Sequence, residues 1–349
     1  MTDVDIAVLG GGIIGCLIAR ELACRAGDLT ITVIDRELVG GGASRRSAGV
    51  HFPRGATARV REMTEFSHHY YEQLLRDTPS LPIFPLAMSL VAREAEDSTG
   101  SYLPSAQLTR ATGVPGLDLP AGVGVWTGKG CQYADVHALT VALAGELRPR
   151  VKIREGIAVS AVLPGPNAVE LRLSNGESLS ARRVVLAPGP WVGARPWREL
   201  VAPLGIRVKQ VVALHVDRVP VTGDRLIVFQ DADAFLLPVR HRGHWLFSYT
   251  SRRWDVNPEE PAVLDEATLA EGRAELARLV PPLAERIVAG RVFCDAYSPN
   301  REPLIQRLDT HGRLVFAGAA NGSGYRLAPA IAAKTAELLG IESEQRISA

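Results

Sequence analysis

A glycine turn set between an apolar strand and an apolar helix constrains this chain more than anything else in it. Val4-Asp5-Ile6-Ala7-Val8-Leu9 has strand composition, and Gly10-Gly11-Gly12-Ile13-Ile14-Gly15 follows directly. Ile13 to Arg25 reads as a helix with Ile14, Leu17, Ile18 and Leu22 on one side. A second apolar run, Ile31-Thr32-Val33-Ile34, ends on Asp35.

Each part has a physical reason to be there. Gly10 permits the tight turn, Gly12 lets the backbone approach a pyrophosphate with no Cβ in the way, and Gly15 lets the helix lie close on its strand. Unpaired amides at the helix start, helped by the helix dipole, face the phosphates. Asp35 can accept hydrogen bonds from both hydroxyls of an adenosine ribose and would repel a 2′-phosphate. The alternative is a purely structural glycine turn, against which the surrounding strand, helix and acid all speak.

A length of 349 residues allows two domains or one large composite one. With 46% hydrophobic and 22% charged residues the chain is an ordinary globular protein. Its net charge of +1 argues against a nucleic-acid or membrane-surface role driven by bulk charge. Cys16, Cys24, Cys131 and Cys294 form no CxxC pair and no metal-ligand cluster, and read as reduced thiols of a cytoplasmic protein. No basic stretch precedes a long apolar one at the N-terminus, so no signal peptide is expected, and no apolar run reaches spanning length.

After Asp35 the segment from Val39 to Val50 is too glycine-rich for a helix or a strand. From Leu38 to Arg61 there is no acid, while Arg45, Arg46, Arg54, Arg59 and Arg61 are basic. Such a loop beside a nucleotide fold points to an anionic neighbour; a solvated basic loop is the alternative. Thr57 to Arg76 reads as a helix with Val60, Met63, Tyr70 and Leu74 at core spacing, and His68 and His69 on its surface. Pro79 to Pro85 breaks the pattern, a short strand covers Ala87 to Ala92, and residues 97–124 are loop-rich.

Tyr133 to Arg148 reads as a helix capped around Asp135. Strands follow at Val151 to Ile153, around Ile157, Val159 and Val162, and at Val169 to Leu173 before the hairpin signal Asn175-Gly176. Arg183 to Leu186 is a buried strand running into a glycine turn, Ala187-Pro188-Gly189-Pro190-Trp191, where doubly wound folds bind ligands. Alternation in Val208–Val216, Leu226–Gln230, Phe235–Val239 and Trp245–Tyr249 indicates an antiparallel sheet, followed by a helix from Asp265 to Leu279. Nucleotide-fold grammar returns at the end: a strand at Leu314–Ala317, a flexible loop from Gly318 to Gly324, and a helix from Ala328 to Leu339.

The opening GGGIIG with Asp35, the loop GGGASRRSAG and the terminal FAGAANGSGYRLAPAIAAKTAELL together resemble the D-amino-acid oxidase superfamily of FAD enzymes, closest to its glycine oxidase and sarcosine oxidase branch. The resemblance implies an α/β FAD-binding Rossmann-like domain (1–85, 130–200 and 296–349) interleaved with an α+β substrate domain on an antiparallel sheet (86–129 and 201–295). It assigns Gly10, Gly12 and Gly15 to the pyrophosphate turn and Asp35 to the ribose. Ala43, Ser44 and Arg46 would lie along the pyrophosphate and flavin, and Val159 on the adenine side. Ala187 and Gly189 match the small turn near the cofactor, and Gly322, Ser323 and Gly324 the loop crossing the flavin. Ile13, Ile14, Arg36, Arg45, Ala48, Gly49, Trp191 and Leu327 complete the cofactor set.

In that family Arg326 stands where a cation takes the substrate carboxylate, and a guanidinium suits the task with two parallel donors. A surface arginine at a helix start is the alternative. Tyr325 and Tyr249 are candidates to line the pocket, with core packing the alternative for each. The arginine that glycine oxidases carry before the last strand is missing here or displaced to Arg301, in Cys294-Asp295-Ala296-Tyr297-Ser298-Pro299-Asn300-Arg301. Sarcosine oxidases join the flavin to a nearby cysteine, which raises Cys294 as a covalent attachment; a buried small apolar residue is its default role.

The implied activity is oxidation of the C–N bond of an amino acid or N-substituted glycine to an imine, with O2 reduced to H2O2. Homologues in antibiotic biosynthesis act on N-carboxymethyl amino acids and release glyoxylate. Two rivals are a same-fold dehydrogenase passing electrons to a quinone or protein, and an NAD-dependent oxidoreductase. No metal, nucleic-acid or membrane partner is expected.

Overall fold

The computed structural model describes residues 3–93 and 99–342. It opens with β1 (Val4–Leu9), α1 (Ile13–Arg25) and β2 (Ile31–Ile34), at the bounds the sequence pattern predicts. The glycine-rich segment after Asp35 is not all loop: it holds a one-turn helix, α2 (Ala43–Arg46), and a short strand, β3 (Val50–His51). Ser44 organises it, since its buried Oγ accepts from the Ile13 amide at 3.0 Å and ties α2 to the start of α1.

α3 (Ala58–Asp77) starts on Thr57, whose hydroxyl accepts from the Val60 amide at 3.2 Å. Its buried ring is Tyr71, one position past the expected Tyr70. His68 is no surface residue either: it stacks on the fully buried His51 with ring centroids 5.5 Å apart.

β4 (Ile83–Arg93) begins earlier than expected and contains Pro85. At that level β4 has a ladder neighbour on one side only, because its second partner starts at Met88, and such an edge position is where a strand tolerates proline. Part of the stretch read as loop-rich, 97–98, lies outside the described residues; the rest includes β5 (Thr109–Ala111). β6 (Val123–Ala134) takes in Tyr133 and Ala134, which the sequence reading assigned to a helix. α4 (Val136–Leu147) begins only after Asp135, whose carboxylate caps the Ala138 amide at 3.1 Å.

β7 (Val151–Arg154), β8 (Val159–Pro164) and β9 (Val169–Leu173) fall where expected, with Gly176 in the hairpin turn at φ 86°, while β10 (Ser178–Leu186) begins five residues before the expected Arg183. After the short α5 (Arg198–Val201) come β11 (Arg207–Val216), β12 (Leu226–Phe229), β13 (Ala234–Val239) and β14 (His244–Tyr249). α6 (Glu266–Leu279) is capped by Asp265 and continues into α7 (Pro281–Ala284). β15 (Ile287–Tyr297) and β16 (Leu304–Arg307) were not anticipated, whereas β17 (Leu314–Gly318) was. α8 (Gly324–Leu338) starts four residues before the expected Ala328, so Gly324 to Leu327 are helical.

Two sheets result. In the first, the order β16-β17-β10-β1-β2-β7 carries a parallel core of β17, β10, β1, β2 and β7, with β9 and then β8 attached to β10. Ile6 to Leu9 are buried on both faces, as a central parallel strand requires. Val8, Leu17, Ile18, Val185, Val315 and Ile331 share one core, so α1 and α8 from opposite ends of the chain close the same side. The second sheet runs β15-β11-β14-β13-β12-β4-β6-β3 with β5 on β6. It is antiparallel except where β12 joins β4 in parallel. Leu214, Phe247, Leu276 and Leu283 pack α6 and α7 on it. The expected class, a Rossmann-like α/β unit interleaved with an α+β unit, is the observed one.

Candidate active site

A cavity of about 1520 Å³ opens where the carboxyl ends of β1, β2, β10 and β17 face the second sheet. Open α/β sheets bind ligands at this end of their strands. Every residue named above for the cofactor lines it except Arg45 and Arg46. Those two are exposed in the single turn of α2, and the Arg46 carbonyl accepts from Arg291 Nε at 2.7 Å.

At one end the glycines divide into two kinds. A Cβ on Gly10 would sit 2.2 Å from the Ala187 carbonyl oxygen, and one on Gly15 would sit 1.9 Å from the Gly10 oxygen. Neither space exists, so these residues make the turn and the helix contact. A Cβ on Gly12 would meet only Ser44 Oγ, at 3.2 Å, so Gly12 is where a bound group can approach the backbone. The first bond inside α1 runs from Cys16 to the Gly12 carbonyl, which leaves the Ile14 and Gly15 amides ahead of it. Ser44, accepting from Ile13, keeps its hydroxyl proton to donate.

Asp35 is already engaged. Its Oδ2 accepts from the Gly11 amide at 2.6 Å and its Oδ1 from Glu37 at 2.8 Å. Burial raises its pKa, against the pull of those two amides. The carboxylate thus holds the glycine turn in shape as well as lining the cavity, and retains lone pairs for hydroxyl donors. Arg36 beside it stacks on Trp191 at 4.4 Å and pairs with Glu259 at 2.7 Å.

At the opposite end stands the start of α8. Its Ser323 cap accepts from no helix amide through its side chain, its first turn holds no acid, and its first internal bond is from Leu327 to the Ser323 carbonyl. The amides of Gly324, Tyr325 and Arg326 precede that bond, and a Cβ on Gly324 would meet nothing within 4 Å. The Gly322 amide is committed elsewhere: it donates to Asp295 Oδ2 at 3.0 Å.

Arg326 is partly buried, with its guanidinium 4.7 Å from the Phe52 ring. Nη1 donates to the Arg54 carbonyl at 2.8 Å and Nη2 to Ser323 Oγ at 2.7 Å. Burial, with Arg54 adding repulsion, lowers its pKa to about 10, so it remains a cation at neutral pH. Two fixed donors leave three to present to an anion.

Tyr325 and Tyr249 border the cavity, yet their hydroxyls are used in the core. The Tyr325 ring stacks on Tyr71 at 4.7 Å and its oxygen accepts from Gln132 at 3.2 Å. The Tyr249 hydroxyl donates to the Thr268 carbonyl at 3.3 Å. Arg301 is exposed at the rim with φ 60°. Cys294 lies on β15 between Phe293 and Asp295, which line the cavity, but does not itself line it. It packs, partly buried, against the core of Leu186 and Phe316.

Several cavity residues escaped sequence reasoning, chiefly Lys209, Asp295, Tyr297 and Trp254. A lysine inside the alternating run Val208–Val216 was the available signal, since a charge in a largely buried strand needs an explanation.

The residues suit an FAD. The cavity exceeds the roughly 300–1,000 Å³ of ordinary ligand pockets, leaving room for a dinucleotide and a substrate together. Gly12 and Gly324, two of the glycines that open into it, mark its two ends beside free helix amides. Trp191 Nε1 and Gln210 Nε2, buried along its wall, have no partner among the described residues.

Comparison with known proteins agrees. Residues 5–338 match the family described as DAO, FAD dependent oxidoreductase. A glycine oxidase from Pseudomonas aeruginosa is 28% identical over 367 aligned positions, covering 96% of this chain and 94% of the relative. The 4-methylaminobutanoate oxidase (formaldehyde-forming) of Paenarthrobacter nicotinovorans is 28% identical over 66% of this chain, which spans only 30% of that relative's length. The L-proline dehydrogenase of P. horikoshii superposes with a TM-score of 0.83 at 19% identity, over 99% of this chain and 95% of that one, a likeness of fold. Among the described residues no helix is long and apolar enough to cross a membrane, and no cluster of His, Cys, Asp and Glu could hold a metal.

Proposed function

Because the chain belongs to the DAO family of FAD-dependent oxidoreductases, we propose that it is a glycine-oxidase-like amine oxidase. Its substrate is an amino acid or N-substituted glycine, with an N-carboxymethyl β-amino acid releasing glyoxylate the bulkier form. A bound FAD would supply the two-electron chemistry, accepting hydride from the carbon beside the nitrogen with O2 as the final acceptor and H2O2 as its product. The product imine then hydrolyses in water.

The observation that carries this reading is the pairing at the start of α8. Arg326 offers a cation to a carboxylate from the same turn whose free amides face the cavity. The guanidinium fixes the substrate, and the helix end favours negative charge developing nearby. Arg326, Tyr325, Tyr249 and Arg301 are assigned to the substrate side, the last as a rim cation.

The flavin is held without a covalent link, which the place of Cys294 in the core, off the cavity lining, supports. Residues 1–85, 130–200 and 296–349 are assigned to the cofactor and 86–129 and 201–295 to the substrate. The division of strands between the two sheets supports this, although β3 and the ends of β4, β6 and β15 cross those limits.

A panel of sarcosine, glycine, D-alanine and N-carboxymethyl β-amino acids, assayed for peroxide, tests the proposal. Flavin reduction without peroxide would favour a dehydrogenase, the activity named for the P. horikoshii structural neighbour. An NAD enzyme is set aside by the family. No response to any amine would overturn the reading.

A further inference from the structure

Lys209 on β11 is only 6% exposed, lines the cavity, and has no hydrogen bond or ion pair from its ammonium to any described residue. A cation drawn inside the protein without a bonded counter-ion is costly, and proteins keep one where a ligand brings the missing charge. Asp295 stands opposite Lys209 in the strand register, but its two oxygens are taken by the Ala296 and Gly322 amides. Burial lowers its pKa, with Arg301 adding to the shift and Asp233 opposing it.

The surroundings are built to hold this side chain. Ser251 to Asp255 is laid along β11: Gln210 donates to the Arg253 carbonyl at 3.0 Å, and Asp255 to the Val208 carbonyl at 2.7 Å. The strap is locked by the Arg207–Asp255 pair, whose two bonds are 2.9 and 2.6 Å. It sets the Trp254 ring 4.5 Å from the Lys209 ammonium, while Tyr297 lies 5.6 Å away. Two ring faces orient a cation but supply no negative charge.

Arg326 borders the same cavity, and Asp233 acts electrostatically on both cations. Asp233 is itself exposed and bound by the Thr250 hydroxyl.

We propose that Lys209 binds a second anionic group of the substrate, so that the enzyme selects dicarboxylic amines over monocarboxylic ones. The identity of the ligand as substrate rests on the oxidase reading, whereas anion binding by Lys209 does not.

Titration calorimetry on the flavin-loaded protein tests this with two non-reacting probes, acetate and glutarate. The wild type is expected to bind glutarate at least tenfold more tightly than acetate. Lys209→Met should erase that preference while changing acetate affinity less than twofold, and Lys209→Arg should keep most of it. Should the methionine variant not fold, Lys209→Gln carries the same expectation. Equal glutarate affinity in wild type and the neutral variant would overturn the proposal, as would an equal loss for both probes. A silent amine panel would sink the oxidase reading and leave this affinity ratio standing.

Discussion

The Tyr71 hydroxyl donates to the Tyr325 carbonyl at 2.6 Å, across the interface between α3 and α8. That carbonyl is the one a residue at position 329 would engage in a regular helix, and position 329 is a proline with no N–H. A side chain from a distant helix therefore satisfies the acceptor that Pro329 leaves open. This lets α8 begin at Gly324, which brings Arg326 and the free amides to the cavity.

Tyr71→Phe should therefore destabilise the protein by about 1–3 kcal/mol, the cost of a buried acceptor left unsatisfied. Pro329→Ala restores an N–H at the right place, so the tyrosine change should cost less when combined with Pro329→Ala. Chemical denaturation of the four proteins in this cycle reads the coupling, and strict additivity would refute the account.

Arg326→Ala should raise KM for a carboxylate substrate by the equivalent of about 2–4 kcal/mol, with flavin still bound. Steady-state kinetics alongside the flavin absorbance separate these effects. An unchanged KM would remove Arg326 from the carboxylate site.

For Asp35→Ala, reduced flavin retention is expected, because both the ribose acceptor and the Gly11 tether disappear. The flavin-to-protein ratio after gel filtration measures it. Full loading in the variant would discredit the ribose assignment.

Asp295 accepts from the Ala296 amide at 2.8 Å and from Gly322, yet burial pushes its pKa up from 3.8 to about 6. The native state then holds this proton more tightly than the unfolded chain. Its contribution to stability is complete below pH about 4 and is lost as pH rises through about 6. Between pH 5 and 7 the wild type should lose about 1 kcal/mol relative to Asp295→Asn. Thermal unfolding of both proteins at the two pH values checks this, and a constant difference would contradict it.

The sequence by itself determined the parts of this protein written in local pattern. The strand, glycine turn, helix and acid from Val4 to Asp35 follow from apolar periodicity and from φ and Cβ requirements that only glycine meets, so their bounds could be read directly. Caps at Thr57, Asp135 and Asp265 depend on one side chain and one amide three residues on, which is again local. Pro85 inside a strand, the early start of α8 and the inward His68 depended on partners far along the chain. The same holds for Lys209: its place in a largely buried strand is visible in the sequence, but what surrounds it, Trp254 and Tyr297, is not. Tertiary structure decided these because a hydrogen-bond acceptor or an unpaired charge acquires its meaning from what stands across the gap, and that neighbour is chosen by packing rather than by spacing.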